Sequence, residues 1–192
     1  MSVGVPRGVR TVRVEPISRE AFAPFGHLLA IDGAERLPRR TYGGTIESFH
    51  AGPLDADVAL EWIVARFNVR EFAVQYVERH FQIAQAFVPL GGAPVIMVVA
   101  RPDARLEEEI PAVDELRAFM VPGGAGVALH RRTWHEPPFP LVDGTRVLLT
   151  NHRRLMEELG SELDARGEIR KTDVDKRNVT ERAGIVVRLA LP

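Results

Sequence analysis

The sequence predicts a mainly β protein, a sandwich or a barrel, and three observations carry that prediction. The apolar segments are short and rich in Val, Ile and Phe. Clusters of Gly, Pro and Asp such as "LGGAP", "PGGAG" and "VDGT" separate them. They recur at spacings of about 10–20 residues, the pattern of strands joined by turns.

Taken in order, "SREAFAPFGHLLA" (18–30) fits a short helix with Ser18 as N-cap and Phe22, Phe25 and Leu29 on one face. Strands are predicted at 61–69, 72–80, 85–90, 95–102, 116–122, 126–132 and 146–152. In "RRLMEELGSELDARGE" (153–168), Leu155, Leu159 and Leu163 fall at i, i+4 and i+8 with charges between them, an amphipathic helix. "KTDVDKRNVTERAG" is polar and reads as a loop, and "IVVRLAL" (185–191) reads as a last strand at a sheet edge or an interface. The expected organisation is one domain over residues 1–152, with the helix and strand of 153–192 packed on it.

Composition sets limits on function. A chain of 192 residues with 45% hydrophobic content can bury a single core. A formal net charge of −1 gives no basic footprint for nucleic acid. No apolar run approaches the roughly 18 residues of a membrane span, and "MSVGVPRGVR" has no apolar signal core, so a cytoplasmic location is expected. The absence of cysteine excludes disulfides, thiolate chemistry and Cys-based zinc sites. No tandem Gly-rich phosphate loop is present, so no nucleotide cofactor is expected.

Two segments concentrate the chemistry. In "QYVERHFQIAQAF", period-two alternation puts Tyr76, Glu78 and His80 on one strand face and Arg79 on the other. A carboxylate and an imidazole two residues apart can serve as metal ligands or as an acid/base pair. Gln85 follows a turn and can point into the same space. In "PGGAGVALHRRTWHEPPFP", alternation puts Ala128, His130 and Arg132 on one face and Val127, Leu129 and Arg131 on the other. The prolines are expected to end this strand in a loop. His27 and His152 read as structural, and Trp134 as packing.

The run from Pro122 to His130 is similar to the second motif of cupin barrels, Pro-x-Gly-x-x-x-His with variations. Across roughly residues 12–150, the collinear elements "FAPFGHLL", "GGTIESFH", "ERH", "QAFVPL", "VVARPD" and "PGGAGVALHRRTWHEP" resemble the ureidoglycolate lyase family. That resemblance implies a cupin-like β-barrel, a cytoplasmic homodimer, and cleavage of (S)-ureidoglycolate to glyoxylate and urea in allantoin breakdown. It also implies a divalent metal, with nickel, manganese, iron and zinc all compatible with a His, Glu and Gln ligand set. Another small hydroxy acid or amide as substrate, or a non-catalytic carboxylate-binding module, are the alternatives to weigh.

On this resemblance Glu78, His80, Gln85 and His130 are expected to surround the barrel cavity as the metal or proton-transfer set. Arg79 or Arg132 would hold the substrate carboxylate through paired hydrogen bonds. His135 or His50 would supply the second acid/base group. Three departures stand out. Arg132 occupies a position where the family usually has glycine, Phe81 stands where proline is common, and the tail after "LLTNHRR" is longer and more charged. A long cation in place of glycine is expected to change the volume and charge of the pocket.

Overall fold

A computed structural model describes residues 6–37 and 46–192. In chain order its strands are β1 (Val9–Pro16), β2 (Gly26–Leu29), the two-residue β3 (Glu35–Arg36) and β4 (Phe49–His50), β5 (Glu61–Phe67), β6 (Ala73–Val74), β7 (Tyr76–His80), β8 (Ala86–Leu90) and β9 (Val95–Ala100). There follow β10 (Leu106–Glu107), β11 (Ile110–Pro111), β12 (Arg117–Val121), β13 (Gly126–Leu129), β14 (Trp134–Pro140), β15 (Thr145–Asn151), β16 (Ile169–Arg170), β17 (Val174–Asn178) and β18 (Val186–Ala190). Three short helices are described: α1 (Arg19–Phe22), α2 (Arg153–Leu159) and α3 (Val179–Ala183).

Two sheets build a mainly β, cupin-like half-barrel. The larger runs β16-β17-β7-β14-β9-β12-β1-β18-β6 and the smaller β2-β13-β8-β15-β5. Alternation along the central strand β9 explains how they pack, since all six of its residues are buried. Val95, Met97 and Val99 face the space between the sheets, where they meet Phe87, Phe119, Val127 and Leu129. Ile96, Val98 and Ala100 face the other way, into a second core with Trp134, Phe139, Val187 and Leu189. Each large apolar side chain buried this way contributes roughly 1.5–3 kcal/mol.

The predicted helix at 18–30 is cut short. Ser18 does cap α1, its Oγ accepting a hydrogen bond from the Ala21 amide at 3.1 Å. The helix stops at Phe22, and Gly26–Leu29 turns into β2, antiparallel to β13. Gly26 lies so close to the Ala128 carbonyl that a Cβ would collide with backbone, and this approach locks β2 into the sheet. Phe22 and Phe25 still enter the core that the helical reading assigned them.

Three further expectations are corrected. The helix predicted over 153–168 ends at Leu159 beside Gly160, with Leu155 buried and Leu163 exposed. The segment "HEPPFP" is not a terminating loop: it belongs to β14, which pairs with β9 on both sides of a register shift between Glu136 and Phe139. Pro137 and Pro138 sit in that irregularity, where a missing N–H costs no ladder bond. The polar stretch 171–184 is strand and helix, with β17 paired antiparallel to β7 from Val174↔His80 to Asn178↔Tyr76.

The charges that made that stretch look like loop are satisfied by partners. Asp175 receives two hydrogen bonds from Arg79 at 3.2 and 2.9 Å. Glu168 receives two from Arg182, both at 2.7 Å. Beneath them Ile83, Leu155, Ile169 and Val174 form a small apolar cluster that ties α2 to the sheet. The strand predicted at 185–191 is found as β18, parallel to β1.

Candidate active site

The strand β7 lies between β17 and β14. Alternation turns Glu78 and His80 toward the space between the sheets, as the sequence predicts. His135 on β14 pairs in register with Glu78, so its side chain stands on the same face. The three side chains each offer one ligand atom, and these atoms lie within 4.8 Å of one another. The nearest nitrogens of His80 and His135 are each 3.7 Å from the Glu78 carboxylate. All three residues are buried, with the two histidines 2% and 1% exposed.

The protonation pattern follows from the surroundings. Burial, and the neighbouring His80, push the His135 imidazole down to about 4, so it is neutral near pH 7. Its Nδ1 donates to the Thr133 carbonyl at 3.0 Å. A neutral ring that donates from Nδ1 can only accept at Nε2. The Gln85 side-chain amide, whose outer atom lies 2.9 Å from Nε2, therefore meets it with its NH2 end, the two ends of an amide being interchangeable in outline. Burial alone would raise the Glu78 carboxyl, but the adjacent His80, His135 and Lys176 outweigh it and hold it below its ordinary value. Glu78 is thus a carboxylate at neutral pH.

His80 is the anomaly. Both of its ring nitrogens are buried without a hydrogen-bond partner among the described residues. A buried imidazole left unsatisfied costs about 1–3 kcal/mol for each stranded group, unless a ligand completes it. The donor set fits a divalent cation on chemical grounds. Glu78 supplies an anionic oxygen, His80 an unused nitrogen, and His135 a nitrogen whose tautomer is fixed by a backbone carbonyl, as metal-bound histidines commonly are.

The turn after His80 is held from the tail. The Asp173 carboxylate, fully buried, accepts from the amides of Phe81 at 2.7 Å and Gln82 at 2.5 Å. It also accepts from His152 Nε2 at 2.6 Å, while the Nδ1 of His152 caps α2. His152 is structural, as expected, and its partner Asp173, in the stretch whose sequence reads as loop, is a buried support.

Four expected site residues lie elsewhere. His130 belongs to the alternate face of its strand: Val127 and Leu129 occupy the interior because they bury apolar surface there, which turns Ala128 and His130 outward. Its Nε2 is 3.0 Å from the Ala23 carbonyl and its ring packs edge-on against His27 at 4.9 Å. Arg79 faces away from the cluster, paired with Asp175 and stacked 4.1 Å over the Trp134 ring. Arg132 is exposed and has φ of 65°, a left-handed conformation that favours glycine. A glycine at this position would suit the backbone turn, and the Arg132 side chain lies outside the buried cluster. His50, on β4, is exposed and pairs with Glu35. The element "GGTIESFH" begins at residues 43–45, outside the described residues.

Sequence reasoning puts Glu78, His80 and Gln85 in one set, which the structure brings together, and names His135, beside His50, for the second acid/base group. Lys176, in the stretch that reads as loop, stands beside Glu78 as its Cα partner across the β17–β7 ladder. The signal was the alternation of Val174, Lys176 and Asn178 against Asp175 and Arg177, hidden by the run of charges.

Among the described residues no helix is long and apolar enough to cross a membrane. The ureidoglycolate lyase family model matches residues 9–163. Among curated relatives, a ureidoglycolate lyase of Azotobacter vinelandii is 32% identical over 73% of this chain and 84% of its own length. One of Brucella ovis is 36% identical over 74% and 83%, and one of Burkholderia cepacia is 34% identical over 68% and 73%. The matched segment contains β7, β14 and Gln85, hence every residue of the buried cluster, and on that ground this chain belongs to the ureidoglycolate lyase family.

Proposed function

We propose that this protein is a carbon–nitrogen lyase that cleaves (S)-ureidoglycolate to glyoxylate and urea, within allantoin-derived nitrogen catabolism. The observation that carries the reading is His80, a buried imidazole with both nitrogens unpartnered, facing an ionised Glu78.

Ureidoglycolate is a carbinolamide whose central carbon bears a hydroxyl, a carboxylate and the urea nitrogen. Cleavage removes the hydroxyl proton as its oxygen becomes the carbonyl of glyoxylate, breaks the carbon–nitrogen bond, and returns a proton to the departing nitrogen. Glu78, kept as a carboxylate, suits the proton-accepting role. His80, with free nitrogens at the same face, suits delivery of a proton to the urea nitrogen. Proton transfer by positioned groups of this kind supplies about 10²–10⁴-fold of rate. His135, neutral and pinned by Thr133 and Gln85, fixes the geometry of the pair. The dry surroundings, with Phe87 5.7 Å from the His135 ring, strengthen each polar contact.

In a metal-loaded form Glu78, His80 and His135 would instead be the ligands, with Gln85 alongside, and the cation would acidify the substrate hydroxyl. Nickel, manganese, iron and zinc all suit such donors.

The test is a coupled glyoxylate assay on the purified protein, with and without added divalent ions, alongside elemental analysis of the same sample. Stoichiometric urea and glyoxylate are expected; absence of both under every ion condition overturns the assignment. The reading extends to a homodimer in the cytoplasm. Trp62 and Val64, 65% and 60% exposed on edge strand β5, support a buried interface there, and light scattering of the purified protein reads its mass.

A further inference from the structure

A hydroxy-carboxylate substrate needs a cation for its carboxylate, and the arginines nearest the cluster are committed or turned away. Arg79 is bound to Asp175 on the opposite face of β7. Arg131 is bound to Asp55 and Asp57. Arg132 is exposed on its left-handed turn.

We propose that Lys176 is the cation that receives the substrate carboxylate, so that the C-terminal extension forms part of the substrate site. This rests on the ureidoglycolate reading above and names the residue that recognises the acid end of the substrate.

The geometry comes from the sheet. Lys176 and Glu78 are register partners across the β17–β7 ladder, so their side chains rise from the same face. Lys176 is half-buried, and its Nζ lies 4.5 Å from the centre of the Tyr76 ring. An aromatic face steadies an ammonium group without neutralising it. Among the described residues Lys176 forms no ion pair, whereas Arg79, Arg177 and Arg182 around it all do. The groups sharing its face are Tyr76, Glu78 and His80 on β7, Val174 and Asn178 on its own strand, and Ile169 across the β16 pairing.

Lys176 lies beyond residue 163, where the match to the family model ends. The extension thus does two things at one place. Asp173 fixes the turn that follows His80, and three residues later Lys176 brings a cation onto the face of Glu78. A four-carbon stem gives the ammonium enough reach to meet a carboxylate lying over the cluster.

The experiment compares wild type with Lys176→Met and Lys176→Arg. Steady-state kinetics with ureidoglycolate should show KM raised about 10- to 100-fold in Lys176→Met, the worth of one hydrogen bond to a charged group, with kcat little changed. Lys176→Arg should recover most of the loss. In parallel, calorimetry measures binding of oxalate and of its uncharged analogue oxamide to each protein. Lys176→Met should weaken oxalate by a similar factor and leave oxamide unchanged, with the unfolding temperature of the variant equal to that of wild type. Equal oxalate affinity in wild type and Lys176→Met, or no oxalate binding by wild type, overturns the proposal. If wild type releases no urea yet binds oxalate through Lys176, the reaction is wrong and the carboxylate subsite stands.

Discussion

Among the described residues two pairs of histidines pack together, and one of them has the makings of a site. His80 and His135 have ring centres 5.3 Å apart between the sheets; His27 and His130 have theirs 4.9 Å apart on the outward side of the smaller sheet. By distance alone the outer pair is the tighter. In both pairs burial pushes one ring below its ordinary pKa, His135 strongly and His27 less so. The difference lies in what remains unsatisfied. His130 spends its Nε2 on the Ala23 carbonyl, and among the described residues no carboxylate is paired with the outer two rings. The inner pair shares an ionised Glu78, and His80 keeps both nitrogens unspent. Two adjacent imidazoles mark chemistry only when their hydrogen-bonding capacity is left for something else.

The sharpest way to break that comparison is to truncate each pair in turn. His80→Ala and His135→Ala should lower kcat/KM for ureidoglycolate by about 10²–10⁴-fold or more, since each removes a group that faces the reacting atoms or fixes one that does. His130→Ala should stay within about threefold of wild type, under about 0.7 kcal/mol on the same scale. Urea release measured on all three decides it. An inactive His130→Ala beside an active His135→Ala would reverse the assignment of the two pairs.

The support beneath the inner pair gives a smaller effect. Asp173→Asn keeps one acceptor oxygen but replaces the other with an NH2 facing His152 Nε2. The loss of a charge-assisted buried bond should cost about 1–3 kcal/mol and lower the unfolding temperature by about 2–10 °C. Because the Phe81–Gln82 turn follows His80 directly, kcat should fall about tenfold as well, a barrier change of about 1.4 kcal/mol. Retention of full kcat alongside a lowered unfolding temperature would show that the turn carries stability alone.

The sequence made much of this legible, but unevenly. Strands whose residues bury apolar side chains on both faces, such as β9, announce themselves as continuous Val, Ile and Met runs. Glu78 and His80 could be placed on one face because the two-residue period is a property of any strand. Which face is inside is a different question, and for the strand leading to His130 the answer depended on Val127 and Leu129, whose apolar burial outweighs the preference for an inward histidine. β17 was invisible for the opposite reason. Its Asp175 and Arg177 look solvated in isolation and become strand residues only when Arg79 and Glu168 supply partners from distant points in the chain. Long-range pairing of charges leaves no local signature.

The tail should also be the part most sensitive to acid. Burial raises the Glu168 carboxyl, but its two hydrogen bonds from Arg182, the Asn178 amide and the nearby Arg177 hold it below its ordinary value of 4.5. A carboxyl lowered in the folded state contributes stability that is present above its unfolded pKa and is lost as pH falls through the folded value. Thermal unfolding followed from pH 7 down to about pH 3 should therefore show stability falling below about pH 4.5. Glu168→Gln should begin less stable at pH 7 and show a flatter decline across the acid range. A decline as steep as that of wild type would assign the acid sensitivity to other carboxylates.

The smallest effect separates backbone from side chain at Arg132. Its φ of 65° is a conformation that costs an ordinary L-residue roughly 1–2 kcal/mol, and its side chain is exposed. Arg132→Gly relieves that strain but gives the unfolded chain more freedom, which takes back about 0.5–1 kcal/mol. The net should be a gain of about 0.5–1 kcal/mol, a rise of about 1–4 °C in unfolding temperature. KM for ureidoglycolate should not change, because the guanidinium lies outside the buried cluster. A raised KM in Arg132→Gly would return this residue to the substrate site and take the carboxylate from Lys176. An unchanged KM with a higher unfolding temperature would mean that a glycine here serves the turn, and that this chain tolerates arginine there at a cost to stability alone.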